Sequence, residues 1–359
     1  MQKLNGLIFS DLHLFPHGGK YSRVDDGVEA LDWVGEIYQK NNCNHLFFLG
    51  DWSHDKSKTH NVVISRTREI LTHWRDDLKM RMTFIPGNHD CPHKTDPRDA
   101  LPYLEEFGEV IRQPLTYFYD DVEVLCVPWA GPHERTWKVI KDSAAAMRNH
   151  SQHDEARQTL FLGHLDLVGA QMTNSSMSPN GLNPTQIGRL FDFTVLGHYH
   201  IMHDVVTNVW YVGSLLSTRF DEEGDRGVIH YSGCIANPIM NTISPSHMKL
   251  RPGLLSDETC LNNYVRILTT PLDNPVELRI KAIEMGARTA RCIPDTAVPS
   301  DGDNAGVTLD QSACQMSDEE LLDKWIEKMA PKDVDPDALR REGRRLIQKS
   351  REEDGHSVK

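Results

Sequence analysis

Five apolar runs along the chain stop abruptly, and each stops at residues able to hold a metal ion. Leu7-Ile8-Phe9-Ser10 runs into Asp11-Leu12-His13, and His45-Leu46-Phe47-Phe48-Leu49 runs into Gly50-Asp51. Phe84-Ile85-Pro86 leads through Gly87 to Asn88-His89-Asp90. Leu160-Phe161-Leu162 meets Gly163-His164, and Phe193-Thr194-Val195-Leu196 meets Gly197-His198-Tyr199-His200. Short apolar runs that end at Gly read as buried strands of a parallel sheet, whose carboxyl ends carry the ligand sites of α/β proteins. A single Gly-Asn-His-Asp turn would be as well explained by a polar helix cap. Five such strand ends in one chain point to a metal centre.

Between the runs the period changes. Residues 24–40 place Val28, Leu31, Val34 and Ile37 on one helical face. Residues 61–78 and 137–156 predict further helices, 99–107 a short one, and 122–128 a strand. This alternation predicts an α/β fold of layered sheets flanked by helices. After His200 the pattern becomes β-rich, with strands expected at 209–212 and 227–231.

From about Arg251 the character shifts. A strand at 264–269, a helix at 276–285 and a strand at 288–293 predict a small α/β cap. Residues 295–311 are polar and rich in Gly and Asp, as in a linker. Two helices follow at 317–329 and 335–351, opened by Ser317 and Asp335 as N-caps. The expected division is a catalytic domain over 1–255, the cap over 256–300, a linker over 301–316 and a C-terminal helical segment over 317–359.

A chain of 359 residues exceeds one ordinary core, which agrees with that division. No apolar stretch approaches the ~20 residues of a membrane span. Residues 4–10 read as a strand and not as a signal peptide, so a cytoplasmic location is expected. The seven cysteines are scattered, odd in number and free of CxxC, which suits a reducing compartment. A net charge of −13 argues against broad attraction to nucleic acid, although carboxylates that hold metal count as negative here.

Asp11, His13, Asp51, Asn88, His164, His198 and His200 make seven oxygen or nitrogen ligands without a thiolate. That is too many for one tetrahedral zinc and suits two ions that share a carboxylate, for which Asp51 is the choice. Two ions ~3.5–4 Å apart clamp a phosphate and generate hydroxide near neutral pH. His198 and His200 could not both face one ion from a regular strand; from an irregular turn they reach different ions.

The ordered set Asp-x-His, Gly-Asp, Gly-Asn-His-Asp, Gly-His and Gly-His-x-His, over about residues 7–200, resembles the calcineurin-like metallophosphoesterase superfamily. Within it the chain is similar to the nuclease subunits of SbcCD-type recombination exonucleases, phage recombination endonucleases included. Gly50-Asp51-Trp52-Ser53-His54 resembles the stretch that brings an extra histidine beside the metals there. Tyr211-Val212-Gly213-Ser214, Phe220-Asp221-Glu222 and Gly227-Val228 resemble the loop and strand that follow. Trp52-Ser53 departs from the usual apolar-Phe pair, and Cys91 stands where Ser is common.

The resemblance implies one metal on Asp11, His13, Asp51 and His200, and a second on Asp51, Asn88, His164 and His198. It implies His89 as the acid at the leaving oxygen and His54 as a second phosphate-contacting histidine. It further implies manganese, where the ligand set alone equally admits iron or zinc. The implied substrate is DNA, held under the cap by Arg266, Arg279, Lys281, Arg288 and Arg291. The implied partner is an SbcC-like ATPase docked on the C-terminal helices, since the chain has no Walker A motif of its own. A homodimer is compatible with this reading, and a membrane partner is not expected. The competing readings are a standalone phosphodiesterase or phosphatase for nucleotides or phosphoproteins, and a scaffold without activity. The full ligand set argues against the last.

Overall fold

The computed structural model describes residues 2–16, 23–56, 59–91, 100–150, 157–295, 322–323, 326 and 335–355. They fall in two compact units, Met1–Asp295 and Thr296–Lys359. The first unit is an α/β sandwich. Its first sheet is built around β1 (Asn5–Phe9), β2 (His45–Phe48), β3 (Met82–Phe84) and β4 (Glu109–Val110), all parallel. The second is built around β6 (Val122–Val127), β7 (Gln158–His164), β10 (Phe193–Gly197) and β12 (Val209–Tyr211), again parallel. β5 (Leu115–Phe118) and β11 (His203–Val206) close its two edges antiparallel, and β8 (Gln171–Thr173) and β9 (Ser176–Met177) form a separate antiparallel pair.

Successive side chains of a strand point to opposite faces, so a strand apolar at every position must be covered on both. β1 shows this directly. Leu7 and Phe9 pack beneath α1 (Arg23–Lys40) and α2 (Asn61–Asp76), together with Leu31, Val34 and Trp74. Ile8 points the other way, into an inter-sheet core with Phe47, Leu160, Leu162 and Val195. On the far side Phe161 and Leu196 meet Ile140 and Ala144 of α3 (His133–His150) and Ile187 of α4 (Pro184–Gly188). The order of layers is therefore helix, sheet, sheet, helix.

Several elements differ from the sequence expectation. The helix expected at 99–107 is a single 3-10 turn, Pro102–Leu104. Leu101 before it is left-handed (φ 50°), and the chain enters β4 five residues after Leu104. Val28 is only half-buried, while Val24, Ala30 and Trp33 join the buried face of α1. β13 (Gly227–Ser232) inserts antiparallel beside β1 and is followed by β14 (Ile235–Met240), an edge strand absent from the sequence reading. β14 is mostly exposed and contains Pro238, which an edge strand tolerates and an apolar-periodicity argument cannot detect.

A three-stranded parallel sheet completes the first unit: β15 (His247–Leu250), β16 (Tyr264–Thr269) and β17 (Thr289–Pro294), covered by α6 (Pro275–Glu284). It is fastened to α1 through Asp26, which is buried and accepts hydrogen bonds from Tyr264 Oη (2.8 Å), Arg23 (3.1 Å) and Arg288. Arg288 is thereby a structural cation of this junction, which corrects its expected role as a phosphate contact.

The second unit contains α7 (Pro336–Gly355), the seventh α-helix among the described residues, after α5 (Asp257–Cys260) and α6. Arg340 and Arg344 both pair with Asp323 (3.2 and 3.0 Å), and Arg345 pairs with Glu342 (2.6 Å). The 295–311 linker from Thr296 onward, and most of the 317–329 helix, lie outside the described residues. Among the described residues no helix is long and apolar enough to cross a membrane.

Candidate metal centre

Every predicted ligand lies at or just beyond the carboxyl end of a parallel strand. β1 delivers Asp11 and His13, β2 delivers Asp51, and β3 delivers Asn88 and His89. β7 ends on His164, and β10 leads into His198 and His200. The carboxyl ends of both sheets thus open onto one cleft of about 340 Å³.

The backbone here is unusual. Asp11 (φ 54°), His13 (φ 46°), Asp51 (φ 62°) and His198 (φ 110°) all have positive φ, which non-glycine residues adopt at a cost of ~1–3 kcal/mol each. Mutual hydrogen bonds hold them there. Asp11 N–H donates to Gly50 O (2.9 Å), His13 N–H to Asp51 O (3.0 Å), and His198 N–H to the Asp11 carboxylate (3.0 Å). The glycines before the ligands are required by the same crowding. A Cβ on Gly87 would lie 2.3 Å from Asp51 Oδ1, and one on Gly50 2.6 Å from the Gly87 nitrogen.

The side chains form two sets. In the first, His13 Nε2 and His200 Nε2 stand 3.0 Å apart, with Asp11 Oδ1 at 3.7 Å and 3.8 Å from them. In the second, His164 Nε2 and His198 Nδ1 are 3.0 and 2.9 Å from Asn88 Oδ1. Asp51 lies between: its Oδ2 is 3.6 Å from His13 Nε2 and 3.5 Å from His164 Nε2. Its Oδ1 accepts the backbone N–H of His89 (2.8 Å). Asp11, His13 and His200, and likewise Asp51, His164 and His198, offer ligand atoms within 4.8 Å of one another.

Two divalent ions fit these donors. Asp11 Oδ1 is buried and has no hydrogen-bond partner among the described residues. His164 donates Nδ1–H to Leu49 O (2.7 Å) and His200 donates Nδ1–H to Glu222 (3.0 Å), so each presents an Nε2 lone pair to the cleft. Lone pairs this close repel unless a cation lies among them. The electrostatics agree. Burial works against charge on Asp51, yet His164 and His13 hold it well below the usual carboxylate range. Burial also opposes charge on His164, and Asp51 overcomes this and raises it to about 9, so positive charge is favoured there and a bound ion would take the place of a proton on Nε2.

His89 and His54 stand on the rim, where His13, His54 and His89 form a third close set. His89 donates Nδ1–H to the His54 carbonyl (2.5 Å), which leaves Nε2 for the cleft. Burial pulls its imidazole down to about 4, against the opposing charge of Asp51. His54 is exposed. The departure at Trp52 is absorbed by the core, where its ring packs edge-on against Phe48 (5.1 Å) and Phe84 (6.0 Å).

Four residues support the site in roles that the sequence did not assign to them. Asp90 accepts the backbone N–H groups of Asp51 (2.7 Å), Trp52 (2.9 Å) and Gly87 (3.0 Å), and burial followed by the Asp51 charge pushes its carboxyl to about 7. Glu222 holds His200, Asp166 meets His198 Nε2 at 2.5 Å, and Trp129 stacks on His198. Asp90 completes the Gly-Asn-His-Asp turn and Asp166 follows His164 by two residues, but nothing in the pattern marks either as a brace.

A sandwich with two oxygen-and-nitrogen ligand sets at its strand ends defines a phosphoester hydrolase that works with two divalent ions. Residues 6–202 match the family model of the calcineurin-like phosphoesterases, and the chain belongs to that family. No curated protein matches it. Among solved structures it is similar to a dimetal phosphatase from Danio rerio at 10% identity, over 65% of this chain and 93% of that one, with a TM-score of 0.43. It is also similar to a Staphylococcus aureus protein assigned as a 5′-nucleotidase, at 14% identity over 67% and 55% of the two chains, with a TM-score of 0.38.

Proposed function

We propose that this phosphoester hydrolase cleaves the phosphodiester bonds of DNA, as the nuclease partner of an SbcC-like ATPase. The observation that carries the reading is a row of cations across the small sheet. Lys249, Arg266 and Arg291 are direct partners on β15, β16 and β17, and so share one face. None has an ion pair among the described residues, and like charges set side by side on a sheet are unfavourable without an anion over them. Arg266 rests on the Phe220 ring at 4.0 Å, while Arg219 and Glu222, on either side of Phe220, line the cleft. The middle of the row therefore lies beside residues of the cleft rim, where a polyphosphate leaving the cleft could meet it.

One ion would be held by Asp11, His13, Asp51 and His200 and the other by Asp51, Asn88, His164 and His198; when bound they polarise the phosphate and lower the pKa of water. Manganese is the ion this reading expects. His89 presents Nε2 to the cleft with its other nitrogen fixed by the His54 carbonyl. An incoming phosphate offsets the burial that keeps the ring neutral, so His89 can take a proton and deliver it to the leaving oxygen. His54 adds a second imidazole on the same rim.

In the partner reading, the C-terminal unit docks the ATPase through apolar positions of its helices, since Arg340, Arg341, Arg344 and Arg345 already pair with acids of the same unit. Truncation after Gln311 is expected to remove ATPase binding and leave free activity intact. The decisive experiment compares linear DNA, circular DNA and bis-p-nitrophenyl phosphate with Mn²⁺, with and without the ATPase. DNA cleavage supports the reading. Rapid hydrolysis of the small diester with no attack on either DNA would replace it with a standalone phosphodiesterase.

A further inference from the structure

We propose that Asp166 is a positioning residue, which fixes His198 in its Nε2–H tautomer and so turns the Nδ1 lone pair onto the second metal position. The inference rests on the two-ion reading of the site and not on DNA as the substrate. Asp166 Oδ1 lies 2.5 Å from His198 Nε2. A carboxylate offers only lone pairs at that distance, so Nε2 carries the proton. Nδ1 is then unprotonated, and it stands 2.9 Å from Asn88 Oδ1 and 3.2 Å from His164 Nε2. His164 has already given its own N–H to Leu49. With His164 neutral, as a metal ligand must be, three acceptor atoms converge with no hydrogen among them, which is a seat for a cation.

The carboxylate is itself held in place. Tyr199 Oη donates to Oδ1 (3.1 Å), and His133 Nε2 lies 3.1 Å from Oδ2. The Trp129 ring stacks on His198 at 5.8 Å with 22° between planes, which restrains tilt of the imidazole. His200 is oriented in the opposite sense, with Nδ1 on Glu222 and Nε2 toward the cleft. Two histidines separated by one residue thus present different nitrogens, each selected by its own carboxylate. This explains how one short turn serves two ions.

The test is a titration of the full chain with Mn²⁺, followed by calorimetry and electron paramagnetic resonance, for Asp166→Ala and Asp166→Asn. In the alanine variant the second ion's affinity should fall about 10–100-fold, and the coupled-pair spectrum should give way to the six lines of an isolated ion. The first ion should bind as before. Asparagine keeps an acceptor for Nε2–H and should retain the pair with a smaller loss. Wild-type affinity and a coupled pair in the alanine variant would overturn the proposal, as would equal losses in both variants or the loss of both ions together. A wild-type chain that binds fewer than two ions would overturn the two-ion reading itself.

Discussion

The backbone N–H of His89 donates to Oδ1 of Asp51 at 2.8 Å, so the loop that carries the rim histidine also sets the angle of the central carboxylate. Oδ2 is left between His13 and His164. Asp51→Asn is expected to lower occupancy at both metal positions, whereas His13→Ala should spare the second. Anomalous scattering from manganese-soaked crystals measures the two sites separately. Full occupancy of both in the Asp51 variant would refute a shared ligand.

His89→Gln removes the rim imidazole and leaves the backbone N–H in place. Turnover should fall by ~10²–10⁴ with two ions still bound, because a general acid contributes about that much to rate. Metal content by mass spectrometry, measured beside the rate, separates the roles. Ions lost in step with activity would make His89 a ligand.

The cation row should act on long substrates alone. Arg266→Gln with Arg291→Gln should weaken DNA binding and reduce the salt slope of affinity by about 2, one per phosphate contact removed. Hydrolysis of bis-p-nitrophenyl phosphate should hold at the parental rate. An unchanged salt slope would leave the row without a phosphate partner.

Asp26 joins the small sheet to α1. Asp26→Ala removes the buried counter-charge of the Arg288 guanidinium, at a cost of ~3–5 kcal/mol, while the double change Asp26→Leu with Arg288→Met should recover most of it. Urea denaturation of the three proteins provides the comparison. A single-variant loss of only a few tenths of a kcal/mol would show that the junction is held elsewhere.

His247 lies at the same junction, stacked on Tyr264 (4.9 Å) and edge-on to Phe220 (4.6 Å). Burial, with the nearby Arg23 and Arg266 charges, lowers its imidazole from 6.5 to about 4. The folded chain refuses a proton that the unfolded chain accepts below pH 6.5. Stability from this group is therefore complete above that pH and is lost as pH falls toward 4. His247→Gln should flatten the acid loss of stability in that window relative to the parent, in denaturation series at several pH values. Parallel curves would remove His247 from the account.

What could be read from sequence was whatever the chemistry binds to a local pattern. A buried parallel strand needs an unbroken apolar run, and the crowding around Gly50 and Gly87 excludes a Cβ just before a ligand, so run, glycine and ligand appear together in the chain. What could not be read depends on distance in the fold. Glu222 reaches His200 from 22 residues away, and Asp166 reaches His198 from 32. Arg288 had the look of a phosphate contact because sequence shows its charge and hides Asp26, which lies 262 positions earlier. The Lys249–Arg266–Arg291 row exists only through the register of three strands.

Asp11, His13, Asp51 and Asn88 come from one sheet, and His164, His198 and His200 from the other. The centre is therefore a joint, closed only when the two halves of the sandwich are in step. A slip between Ile8 or Phe47 on one side and Leu162 or Val195 on the other would open or narrow the gap between the two ligand sets before any strand came apart. Anything that leans on one outer layer of helices has a lever on the chemistry, and such a mechanical signal could reach the centre without approaching the cleft.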